Sequence, residues 1–286
     1  MRLPFLALCL VASAFASTDM LVTTPWMASN LGGRDIVVLH VGTDKDYSAG
    51  HIPGARLVTL PDISITGENG LQLELPPLDT LLAAFGRLGI TDHSRIIVYA
   101  GNDSVQSATR VWFTLDYLGL GDHAAMLDGG LAAWKAEGRE LSADAPQVVP
   151  AHFTPRLRPE VVVGAEWVNS RLKDESCQIV DARLPEFYSG ANAGGMPRAG
   201  RIPGAKSAPY TTFLDDSRHF RSRDDLAALM KAASGRKMPV SYCHRGQQAT
   251  VIYFVARYLG MEPKMYDGSF QDWSARRELP VETDAK

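Results

Sequence analysis

Pro239-Val-Ser-Tyr-Cys243-His-Arg-Gly-Gln-Gln248, running into Thr250-Val-Ile-Tyr-Phe-Val-Ala-Arg-Tyr-Leu-Gly260, decides the fold, because the passage occurs twice. It reads as a short apolar strand, a loop, and a helix of apolar period stopped by glycine. The earlier copy is Arg95-Ile-Ile-Val-Tyr-Ala100, leading into Thr109-Arg-Val-Trp-Phe-Thr-Leu-Asp-Tyr-Leu-Gly119. Upstream, Ile36-Val-Val-Leu-His-Val41 and Tyr47-Ser-Ala-Gly-His-Ile-Pro-Gly-Ala55 match Gln178-Ile-Val-Asp-Ala182, Tyr188-Ser-Gly190 and Arg201-Ile-Pro-Gly-Ala205. The second copy carries an extra stretch, 191–200, between its tyrosine and its Ile-Pro-Gly-Ala. Downstream, Leu127-Asp-Gly-Gly-Leu-Ala-Ala-Trp134 matches Tyr266-Asp-Gly-Ser-Phe-Gln-Asp-Trp273. Three matched segments in one order define a duplicated domain.

Short apolar strands alternating with helical periods predict an α/β fold of two tandem domains, each a central parallel sheet flanked by helices. The expected division is a first domain over 17–141, a proline-bearing linker over 142–159 and a second domain over 160–286. Residues 1–16 read as a cleaved signal peptide: Arg2 precedes an apolar run, and Ala14-Phe15-Ala16 supplies an A-x-A cleavage site. Export into a periplasm is the expectation, with no membrane association after cleavage. The chain of 286 residues is 45% hydrophobic and 21% charged with a net charge of −3, which offers no basic field for nucleic acid. The two domains can cover each other's apolar faces, so a monomer is expected. Of three cysteines, Cys9 belongs to the leader. Cys177 and Cys243 fall at opposite ends of neighbouring parallel strands, too far apart for a disulfide.

Cys243 carries the chemistry. It ends a strand and opens the loop Cys243-His244-Arg245-Gly246-Gln247-Gln248 before a helix. A thiol reacts as its thiolate, which free N–H groups at a helix N-terminus and nearby cations stabilise. Gly246 permits a positive φ that turns successive N–H groups inward as an anion nest. Arg245, and His244 when protonated, add positive charge.

The Ile-Pro-Gly-Ala segments, the cysteine loop and the closing Tyr-Asp-Gly-Ser-Phe-x-x-Trp segment resemble the tandem-domain rhodanese sulfurtransferases. That resemblance implies a silent first domain, in keeping with Ala100 at the position of Cys243, and an active second one. It implies double displacement: Cys243 takes the outer sulfur of a donor as a persulfide and passes it to a thiophilic acceptor such as cyanide. No cofactor or metal is expected. Arg245 and Arg183 are the expected substrate-binding cations; Arg183 stands in an Asp-x-Arg that many members keep. Thiosulfate is the expected donor and 3-mercaptopyruvate the alternative. Mercaptopyruvate-type relatives carry small residues after the cysteine, whereas thiosulfate-specific relatives carry a further basic residue about where Phe187 stands. A sulfur-carrier protein would need the same persulfide. Arg198 and Arg201 belong either to the substrate mouth or to a solvated surface loop. A phosphatase loop would need arginine where Ala249 stands, and no C-x-x-C pair supports disulfide exchange. Trp134 and Trp273 read as core packing, and His51 as a turn residue without a catalytic role.

Overall fold

Alternating apolar runs and helical periods become, in each half, a five-stranded sheet whose pairings are all parallel. The computed structural model describes residues 20–102 and 104–284; the expected leader over 1–16, with Cys9, lies outside them. The first sheet contains β1 (Leu21–Val22), β2 (Ile36–Val41), β3 (Arg56–Val58), β4 (Arg95–Ala100) and β5 (Ala124–Leu127), in the order β1-β5-β4-β2-β3. The second contains β6 (Val162–Val163), β7 (Cys177–Asp181), β8 (Lys206–Ser207), β9 (Met238–Tyr242) and β10 (Lys264–Tyr266), in the order β6-β10-β9-β7-β8. The two orders are the same, as duplication requires. Each central strand, β4 or β9, delivers its last residues to the carboxyl edge of the sheet, where open α/β sheets take their ligands. Ala100 and Cys243 therefore occupy equivalent places.

The two copies meet through the helices that follow these strands, Val105–Tyr117 and Ala249–Tyr258. From Ala249 to Ala256 every residue of the second helix is buried, as expected for a helix enclosed on all sides. Trp112 meets Phe254, and Phe113 meets Tyr253, edge to face with centroids 5.0 and 4.9 Å apart. The equivalent hydroxyls of Thr109 and Thr250 touch at 2.7 Å, marking the pseudo-twofold axis. One buried apolar cluster consequently extends through both domains.

Residues 142–158 form no helix or strand, yet they are fastened to the first domain. Ala151 and Arg156 donate backbone hydrogen bonds to Gly86 and Leu118, and Phe153 is buried. Trp134 and Trp273 are buried and donate their indole N–H groups to the carbonyls of Glu140 and Pro280. Cys177 pairs in register with Met238, so the length of β9 separates it from Cys243, roughly 16 Å of extended chain.

Asp116 ties three parts of the chain together. This buried carboxylate of the first domain accepts from Arg158 of the linker at 2.8 and 2.9 Å and from the Tyr253 hydroxyl of the second domain at 2.7 Å. Asp116→Ala leaves the buried Tyr253 hydroxyl without its acceptor and takes from Arg158 its buried carboxylate, with Glu262 remaining as a partner. We expect it to cost about 3 kcal/mol, read as a lower urea midpoint.

Candidate active site

The loop from Cys243 to Gln248 is fastened by its carbonyls. Cys243 and His244 accept from the Phe270 and Gln271 N–H groups at 3.0 and 2.9 Å. The Gly246 carbonyl accepts from Arg110 of the first domain at 2.9 Å, and those of Gln247 and Gln248 turn into the following helix. Among the described residues, by contrast, the N–H groups of His244 through Gln248 find no acceptor. Gly246 makes this possible with φ +76°; a Cβ there would lie 2.6 Å from the Asp267 carbonyl. The Cys243 N–H donates to the Ser269 hydroxyl at 3.2 Å, which in turn donates to the Tyr266 carbonyl. A run of free N–H groups beginning at a thiol can hold a thiolate, a persulfide or a small oxyanion.

Cys243, His244, Arg245, Gln247 and Gln248 line a cavity of about 270 Å³ together with Leu73 and Gln106 of the first domain and Phe187, Gly194 and Met196 of the second. Among the described residues no carboxylate pairs with Arg245, and its buried Nε has no hydrogen-bond partner, so its charge is available to an anion. The 191–200 insertion does reach the site, but through Gly194 and Met196. Its Arg198 instead caps the final helix by donating to the carbonyls of Trp273, Ser274, Arg276 and Leu279. Arg201 pairs with Asp284 at 2.9 Å and lies over the Tyr188 ring.

Two expectations change in the structure. The Arg183 guanidinium does not line the cavity; it is buried, bound to both carboxylate oxygens of Asp181, to the Gly200 carbonyl and to the face of Phe270. It therefore ties the carboxyl end of β7 to the Gly200 carbonyl and to Phe270. Burial first, and then the nearby Arg183 charge, hold the His244 imidazole below its ordinary pKa. Its ring meets Phe187 edge-on at 4.5 Å. Burial and the Arg183 charge both disfavour the charged form of His244.

The first domain repeats this frame with other side chains. Where the second domain hydrogen-bonds Tyr242 to Asp181 at 2.6 Å, the first places Tyr99 against His40 at 2.9 Å. Gly42 stands in place of Arg183, and a Cβ at Gly101 would lie 2.0 Å from the His40 ring. Burial, reinforced by neighbouring His51, pushes the His40 pKa down to about 4. His51 itself stacks on Tyr47 at 3.7 Å and binds the Tyr47 carbonyl through Nδ1 at 2.9 Å.

These features define a duplicated α/β protein with a cysteine-bearing pocket at the carboxyl edge of its second sheet. Both halves match the family model described as the Rhodanese-like domain, over residues 23–137 and 164–276, and the chain belongs to the rhodanese family. It is 29% identical to the thiosulfate sulfurtransferase of Pseudomonas aeruginosa, over 94% of this chain and 99% of that protein. It is 28% identical to the 3-mercaptopyruvate sulfurtransferase of Escherichia coli, over 93% and 99%. An anaerobic ergothioneine biosynthesis enzyme from Chlorobium limicola shares the fold, with a TM-score of 0.85 at 23% identity over 95% of this chain and 72% of that one. The chain is a sulfurtransferase.

Two measurements probe this region. Gly246→Ala forces a side chain into left-handed backbone and against Asp267, and we expect a loss of about 2 kcal/mol with a slower alkylation of Cys243. For His40, the unfolded imidazole titrates near 6.5 and the folded one about 4, so its contribution is complete above pH 6.5 and is lost as pH falls toward 4. His40→Gln removes that part of the pH dependence. The stability difference between wild type and variant should shift by on the order of 3 kcal/mol between pH 7 and pH 4 in urea titrations.

Proposed function

We propose that Cys243 is the nucleophile of this sulfurtransferase and thiosulfate its sulfur donor. The observation that carries the reading is the row of unpartnered N–H groups beside Arg245, a site suited to a small, doubly charged oxyanion. The Cys243 thiolate attacks the outer sulfur of thiosulfate. The bond between the two donor sulfurs breaks, and sulfite leaves with the electron pair. The negative charge then rests on the terminal sulfur of a Cys243 persulfide, facing the same N–H groups. Cyanide or a thiolate attacks that sulfur, the S–S bond breaks, and the Cys243 thiolate returns.

A second reading, an organic donor such as 3-mercaptopyruvate, is favoured by the apolar wall of Leu73, Phe187 and Met196. The relative of that name in Escherichia coli supports it as well.

The test is turnover with each donor, using cyanide as acceptor, alongside intact mass after donor treatment. Thiosulfate should add one sulfur, about 32 Da, to wild type and nothing to Cys243→Ser, which should lose turnover by more than about a thousandfold. Arg245→Gln should lower turnover per donor concentration about tenfold or more with thiosulfate. Turnover surviving in Cys243→Ser would refute the nucleophile, and a clear preference for 3-mercaptopyruvate would refute the donor.

A further inference from the structure

The catalytic loop is held in part by a residue that does not belong to its domain. Arg110, on the helix Val105–Tyr117 of the first domain, is buried with a side-chain exposure of 1%. Its guanidinium donates three hydrogen bonds, each to a different part of the site. One Nη donates to the Gly246 carbonyl at 2.9 Å and to the Asp267 carboxylate; the other donates to the Leu73 carbonyl at 2.7 Å. Leu73 lines the cavity with left-handed backbone, φ +62°, a conformation a branched side chain keeps only when its surroundings impose it. The neighbouring Leu75 N–H reaches across to the other oxygen of Asp267 at 3.0 Å. By the internal repeat, the second domain has Val251 where the first has Arg110, so no such clamp is duplicated.

We propose that Arg110 is a positioning residue for sulfur transfer, supplied by the first domain. It draws the Gly246 carbonyl out of the loop, leaving the N–H groups free to face the sulfur, and it locks Leu73 into the cavity wall. The inference rests on the reading of Cys243 as the nucleophile. It gives the domain without a cysteine a role in the reaction: the anion nest is complete only while the two domains are docked.

The experiment compares wild type, Arg110→Met and Arg110→Lys in three measurements. These are the rate of Cys243 alkylation by iodoacetamide, single-turnover persulfide formation over a range of thiosulfate concentrations, and thermal melting. Losing a charged hydrogen bond on the loop should slow alkylation of Arg110→Met about tenfold, and lower the limiting rate of persulfide formation by a similar factor. The half-saturating thiosulfate concentration, governed by Arg245, should move by less than about twofold. Arg110→Lys keeps the charge and can reach one acceptor, so it should recover part of both rates. Lower melting with wild-type alkylation and an unchanged limiting rate would mean a purely structural residue and would overturn the proposal. If Arg110→Met does not fold, Arg110→Lys decides: a slowing of about threefold at near-normal melting supports the role, and wild-type rates refute it. Alkylation needs no sulfur donor, so failure of thiosulfate to form a persulfide in wild type would count against the donor and leave the Arg110 result readable.

Discussion

The site depends on how one short loop disposes of its backbone carbonyls. A peptide loop offers as many acceptors as donors, and an anion is held only where the donors face it and the acceptors are occupied elsewhere. Here Phe270, Gln271 and Arg110 take the carbonyls of Cys243, His244 and Gly246 from outside, while the following helix takes the next two. The N–H groups that remain border the thiol. The positive φ of Gly246 is the backbone condition for this arrangement, and the crowding at Asp267 leaves no room for a larger residue.

Much of that fastening is tertiary. Phe270 and Gln271 come from the closing segment after β10, and Arg110 comes from the other domain across the helix pair centred on Thr109 and Thr250. The interface is built like a core, with Trp112, Phe113, Tyr253 and Phe254 interlocked edge to face. Docking two copies in this way encloses the site between them. The first domain contributes Leu73 and Gln106 to the cavity, and the pseudo-symmetric segment of the second domain packs back in return, with the Phe220 N–H on Asp128 at 2.9 Å.

The duplicated frame is nearly symmetric and the side chains at the carboxyl edges of its sheets are not. Leu73 and Arg218 hold equivalent places and share a left-handed backbone, φ +62° and +67°, so the crossover geometry is common to both halves. The differences are side chains: Ala100 for Cys243, His40 for Asp181, Gly42 for Arg183 and Arg110 for Val251. In the first domain a neutral, buried imidazole fills the space where the second domain keeps an ion pair.

The two sheets, the repeat and the candidate nucleophile were legible in the chain because they are written in local patterns. Apolar runs of strand length, glycine stops and matched segments need no knowledge of distant contacts. Cys243 was legible because strand, loop and helix are contiguous around it. Arg183 shows where that reading fails. An arginine at the carboxyl edge of the sheet looks like a substrate ligand until the structure shows its charge taken by Asp181, two residues away. The insertion shows the reverse, since its arginines bind backbone and carboxylates while Gly194 and Met196 reach the cavity. His244, a possible cation in the sequence, has its charged form disfavoured by burial and by Arg183. The sequence by itself determined which residues could react. Which charges stay free, which wall closes the pocket and which domain holds the loop were decided by tertiary structure, because burial and pairing are properties of contacts between residues far apart in the chain.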